Sequence, residues 1–131
     1  MSREKVELVK RGIEAWNARD VESSRERLDP DVVMRMAEGF PESGPFVGRE
    51  DVMRWIMDAR EPFDDFVIEP ASDIIDVGDR VVVRLRSHAT GRGPDVSFEF
   101  SEVTTFWAGR IVYIQFYWDH HEARKAVGLE Q

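Results

Sequence analysis

The spacing of apolar residues changes character part-way along the chain. Val6, Val9, Ile13 and Trp16 fall at helical intervals, with Ser2 placed to cap and Glu4 in the first turn. Asp20 predicts the cap of a short second helix running to about Leu28, where Asp29-Pro30 stops it. Val32–Met36 reads as a short strand, and a turn-rich loop from Gly39 to Gly48 leads into a third helix. Val52, Trp55, Ile56 and Ala59 make one stripe on that helix, with Glu50 and Asp51 at its positive end.

Beyond it the period falls to two. Phe66–Val77 is a strand interrupted by Pro70, which predicts an edge position or a bulge. Gly78-Asp79 turns the chain into Val81–Thr90, Gly91–Asp95 into Val96–Trp107, and Ala108-Gly109 into Ile111–Trp118. Strands joined by such short turns pair antiparallel, so this half is a meander. A short final helix follows, with Asp119 and Glu122 at capping-box spacing, Arg124 and Lys125 in its last turn and Gly128 at its end. Helices first and strands afterwards predict an α+β fold, three N-terminal helices with a curved antiparallel sheet around a pocket.

Alternation assigns the faces of the sheet. Val96, Phe98, Phe100, Thr104 and Phe106 share the inward face of their strand, and Glu102 is the one charged residue among them. Val81, Val83 and Leu85 are predicted inward from the strand before, and Val112, Ile114, Phe116 and Trp118 from the strand after. Arg84, Arg86, His88, Glu99, Tyr113, Gln115 and Tyr117 then face outward. Burying an unpaired carboxylate costs several kcal/mol, so Glu102 must be neutralised, be partnered or border a wet cavity. An aromatic sheet face carrying one acid is what an apolar ligand pocket needs.

Composition narrows the classes. The 131 residues, 42% hydrophobic and 34% charged, suit one globular domain spanning 1–131. A net charge of −8 disfavours nucleic acid and acidic membrane surfaces as partners. Cysteine is absent, which removes disulfides and thiolate sites and fits the cytoplasm, and the opening residues carry no signal-peptide pattern. Arg80, Arg84, Arg86 and Arg92 cluster on strand spacing and read as a patch answering nearby acids.

Four motifs in order then carry a resemblance: Ala15-Trp16-Asn17-Ala18-Arg19-Asp20, Phe46-Val47-Gly48-Arg49-Glu50, Val77-Gly78-Asp79-Arg80-Val81 and Gly109-Arg110-Ile111-Val112. The chain resembles the nuclear transport factor 2-like superfamily, and its ending, Tyr117-Trp118-Asp119 before a helix closing on Val127-Gly128-Leu129, is most similar to the SnoaL-like branch. That resemblance implies a cone-shaped barrel with a pocket between helices and sheet, often dimeric through the outer face. Members include polyketide cyclases, ketosteroid isomerases, dehydratases, epoxide hydrolases and binding domains, so fold leaves function open. The tyrosine, aspartate and second acid of ketosteroid isomerases correspond here to Gly12, Met36 and Glu102, and only the last could serve. The Asp-Arg-Asp set of the epoxide hydrolases is not evident.

The candidate catalytic residues are therefore Glu102, as general acid or base, and Asp119, which its capping role already explains. Candidate ligand contacts are Trp16, Met36, Trp55 and Phe100, together with Thr104, Ile114, Phe116 and Trp118. Gly12, a costly residue in a helix, either leaves space above the pocket or permits close packing. Phe40 and Phe46 tip a loop that is either a lid or a plain connection. His120 and His121 point about 100° apart on a helix and do not suit one metal. Trp107 is the candidate anchor of a homodimer. Two readings compete: a domain holding a hydrophobic small molecule, or a cofactor-independent cyclase, isomerase or dehydratase. An enzyme needs a base and an oxyanion donor around one cavity, and the inward donors in view are Trp16, Trp118 and Thr104.

Overall fold

In the computed structural model, which describes residues 2–40, 42, 44–91 and 93–129, the amphipathic first segment forms α1 (Ser2–Ala18). Asp20 caps α2 (Val21–Arg27) by accepting a hydrogen bond from the Ser23 amide at 3.0 Å, a contact worth about 1 kcal/mol. The strand after it, β1 (Leu28–Arg35), begins earlier than predicted and contains Pro30. Then come β2 (Phe46–Val47) and α3 (Arg49–Arg60). The interrupted segment becomes β3 (Phe63–Pro70) and β4 (Ile75–Val77), followed by β5 (Arg80–Gly91), β6 (Val96–Trp107), β7 (Arg110–Tyr117) and α4 (His120–Ala126). α1 begins at Ser2 itself. Arg92 and two residues of the candidate lid, Pro41 and Ser43, fall outside the described residues.

The strands form one curved, unclosed sheet in the order β2-β1-β7-β6-β5-β3, with β4 also on β5. Pro70 ends β3 where both predicted features coincide: β3 and β4 pair in turn with the same edge of β5, and the chain bulges between them. The Ser72 hydroxyl accepts the Arg84 amide across that gap at 2.8 Å. The β5-β6-β7 meander is antiparallel, while β1 runs parallel to β7, which a strand separated from its partner by the rest of the chain is free to do.

The inner face of the sheet carries the main core, with Met34, Val81, Val83, Leu85 and Phe106 nearly inaccessible beneath α1 and α3. One predicted orientation is corrected. A bulge in β7 pairs Thr105 with Tyr113 but Phe106 with Ile111, so Ile111 rather than Val112 enters the core. The extra residue reverses the alternation on its N-terminal side. The outer face is not simply a solvated polar surface. Val82 and Val103 are buried there under Ala123 of α4 and Val127 just after it. Asp119 caps that helix through the His121 amide at 2.8 Å, and Gly128 (φ 83°) terminates it.

The outward arginines are engaged as the sequence suggests, with one addition. Glu99 accepts from Arg84 at 3.3 Å and Arg86 at 3.1 Å, and Arg86 also approaches Glu69. Arg84 further donates to the Trp118 carbonyl at 2.6 Å and the Ser101 hydroxyl at 3.2 Å, while Ser101 meets His120 Nδ1 at 2.8 Å. These bonds pin the end of β7 and the start of α4 to the outer face. No helix among the described residues is long and apolar enough to cross a membrane.

Candidate functional site

Two adjoining hollows lie between the helices and the concave face. The larger, about 280 Å³, is walled by aromatic side chains from α1, α3, β3, β6 and β7, including Trp16, Trp55, Phe66, Phe98, Phe100 and Phe116. The smaller, about 100 Å³, lies toward α2 and the β1 side of the sheet, and Gly12, Arg27, Thr104 and Ile114 help to line it. Trp16, Trp55, Leu85, Glu102 and Phe116 border both, so Glu102 stands where they meet.

The aromatic wall is assembled by alternation along β6 and β7. Phe98 and Phe100 are successive inward residues with centroids 5.8 Å apart, and Phe116 meets Phe100 edge-on at 5.4 Å. Trp16 packs against Phe66 at 5.1 Å, and its indole donates to the Phe66 carbonyl at 2.9 Å. One residue later, Asn17 clamps the same strand, donating to the Ile68 carbonyl at 2.9 Å and accepting its amide at 2.8 Å. Thus α1 is registered on β3 before any ligand is considered. The Arg60 guanidinium lies 4.6 Å from the Trp16 ring and backs that side of the wall.

Glu102 retains accessible surface because it faces a hollow, but protein surrounds it on every side. Loss of hydration raises its carboxyl above the ordinary value; a 3.1 Å hydrogen bond from Thr104 Oγ1 and the nearby charge of Arg27 oppose that rise without cancelling it. Arg27 is the residue that sequence reading passed over. It is the last residue of α2, where a basic side chain suits the helix dipole, yet its side chain runs inward beneath α1. Burial lowers the guanidinium from its usual value and the Glu102 charge supports it. Gly12 is the signal that could have revealed it. A Cβ at that position would lie 2.3 Å from Arg27 Nη1 and 2.6 Å from both Cζ and Nη2. Gly12 thus borders the smaller hollow and lets the Arg27 guanidinium pack closely against α1.

The other candidates divide. Trp16, Met36, Trp55, Phe100 and Phe116 line the larger hollow, and Thr104 and Ile114 the smaller. Trp118 lies instead at the rim, 44% exposed, stacked on Phe40 at 4.8 Å and donating to the Glu38 carbonyl at 2.9 Å. Beyond the end of β7 at Tyr117, its ring also meets Phe98 edge-on at 6.2 Å, so it packs on two residues of the hollow's wall without lining the hollow itself. Asp119 is exposed, borders neither hollow and is occupied as a cap. Phe40 lines the larger hollow from the candidate lid, whereas Phe46 packs on Trp55 at 6.3 Å. All three expected donors are already committed: Trp16 to Phe66, Trp118 to Glu38 and Thr104 to Glu102. Among the described residues no group of three or more His, Asp or Glu side chains is arranged to hold a metal ion.

Comparison with known proteins places this geometry. The family model for the SnoaL-like domain matches residues 9–114. No curated protein matches by sequence. Among solved structures, a protein of unknown function from Burkholderia pseudomallei, described as NTF2-like, is 24% identical with a TM-score of 0.78, over 98% of this chain and 99% of that one. A candidate SnoaL-like polyketide cyclase from Jannaschia Sp. CCS1 is 18% identical at a TM-score of 0.78, covering 100% and 96%. TerC, co-crystallised with polyporic acid, is 20% identical at 0.76, covering 95% and 98%. At these identities the likeness is one of fold.

Proposed function

The chain belongs to the SnoaL-like domain family, and from that membership we propose that it is a binding domain for a small, hydrophobic, ring-containing molecule. The observation that carries this reading is the hollow of about 280 Å³, walled by Phe and Trp and bordered by a single carboxylate. Packed interiors leave few voids larger than a water, and an apolar cavity of this size next to an acid is the arrangement expected of an orienting pocket. Among the similar folds, TerC was co-crystallised with polyporic acid, which supports a small-molecule pocket in that protein.

Calorimetry with 2-acetylnaphthalene, a neutral ring compound, tests the reading. The expected result is stoichiometric binding that falls at least about tenfold in Ala59→Phe, which fills the hollow from α3. No binding at millimolar ligand, or undiminished binding in Ala59→Phe, sinks it.

A second reading, proton transfer beside a carbonyl with Glu102 as acid or base, is favoured by one feature, the raised carboxyl standing beside the Arg27 cation. The same ketone decides it. Exchange of its methyl protons in deuterated buffer, catalysed by the protein and lost in Glu102→Gln, would establish an enzyme; exchange at the buffer rate leaves a binding domain. We also propose a homodimer through the outer sheet face, where Trp107 is 74% exposed and α4 covers only Val82, Val103 and their neighbours. A monomeric mass by light scattering at micromolar concentration would refute it.

A further inference from the structure

We propose that Arg27 is an anion-recognising residue of this cavity, so that the preferred ligand is an aromatic molecule bearing an acidic oxygen, such as a carboxylate, enolate or phenolate. The inference deepens the binding reading above and rests on it.

A guanidinium carries five N–H donors in a fixed fork. In Arg27 the Nε is buried with no acceptor, and Nη1 has one long hydrogen bond, to the Leu8 carbonyl at 3.4 Å. Glu102 contributes charge to Arg27 but makes no hydrogen bond or close ion pair with it; its Oε1 accepts the Thr104 hydroxyl. A cation thus stands at the end of a hollow with donors to spare, in a setting where an unmade hydrogen bond is costly. Gly12 keeps the space that the guanidinium occupies, and the smaller hollow, lined by both residues, shares Glu102 and other wall residues with the aromatic one. A flat ring system in the larger hollow would direct one substituent past Glu102 toward Arg27. Arginine suits such a head group because its planar fork matches two oxygens and it is weakly hydrated. A lone oxyanion fits as well. A cationic head group does not.

The probes are 2-naphthoate and 2-acetylnaphthalene, which share a ring and nearly a shape but differ in charge. Calorimetry on the wild-type protein should give naphthoate the tighter binding by about tenfold or more, the range of a charge-assisted hydrogen bond. In Arg27→Met the preference should vanish, and Arg27→Lys should keep part of it. Should Arg27→Met not fold, the Arg27 side-chain nitrogen signal in labelled wild-type protein must shift with naphthoate and stay with the ketone. Equal affinity of the two probes, or a preference surviving in Arg27→Met, overturns the assignment and leaves the aromatic pocket standing. Failure of the ketone as well as the naphthoate overturns both.

Discussion

Replacing Gly12 by alanine separates two explanations of a glycine in the middle of α1. Alanine is favoured over glycine in a helix interior by about 1 kcal/mol, so on propensity the change stabilises. Against this stands a collision, but its nature matters. The three nearest atoms to the added Cβ all belong to the Arg27 guanidinium, at 2.3–2.6 Å. To reach the 3.4 Å at which ordinary contact begins, Nη1 must retreat by 3.4 − 2.3 = 1.1 Å. Arg27 is a long side chain with four rotatable torsions, and what it forfeits is one weak hydrogen bond at 3.4 Å, worth about 1 kcal/mol at most. The two effects are of similar size, so stability should stay within about 1 kcal/mol of wild type, or roughly 4 °C in Tm for a domain of this length. Thermal unfolding followed by circular dichroism measures it. A double-mutant cycle sharpens the test, because in an Arg27→Ala background the obstacle is gone and Gly12→Ala should gain its full ~1 kcal/mol. A loss beyond about 2 kcal/mol that persists in that background would refute the reasoning. Gly12 would then serve close backbone packing, and Arg27 would be incidental to it.

Three further outcomes follow from the same geometry. Because the Glu102 carboxyl is raised in the folded protein, the native state binds more protons than the unfolded one. Its contribution therefore falls as pH climbs from the ordinary carboxylate range to the native value, at up to about 1.4 kcal/mol per pH unit, and is flat above it. Urea titrations between about pH 4 and 8 should show that segment in wild type and not in Glu102→Gln; parallel curves would deny the burial. Asn17→Ala removes both of its bonds to Ile68 on β3 and should cost about 1–3 kcal/mol, with faster hydrogen exchange at the Ile68 amide. Asp119→Ala should cost about 1 kcal/mol as a lost cap while 2-acetylnaphthalene binds unchanged, and a tenfold loss of affinity would restore Asp119 to the site.

Legibility followed the range of the forces involved. Caps and turns are local: Asp20, Asp119 and Gly128 act within a few residues of themselves, and each stands where the sequence placed it. The inward faces of β5 and β6 were also readable, because alternation persists as long as a strand is regular. It broke at the β7 bulge, where register depends on the partner strand, and Ile111 displaced Val112 from the core. Trp118 was placed only in part, since beyond the end of β7 it packs on Phe40 and Phe98 at the rim and does not line the hollow.

What the chain determined on its own, through hydrophobic period, turn residues and one acid on a greasy strand face, was an α+β domain with Glu102 turned inward. Only tertiary structure could bring Arg27 to that acid. The two are distant in sequence and on different elements, and the meeting requires α2 to lie under α1 at the residue lacking a side chain. Tertiary structure likewise decided which donors remain available, because the partners that occupy Trp16 and Trp118 are carbonyls far along the chain. Backbone carbonyls are present in every residue and leave no mark on the sequence, so their engagement becomes visible only when the chain is folded.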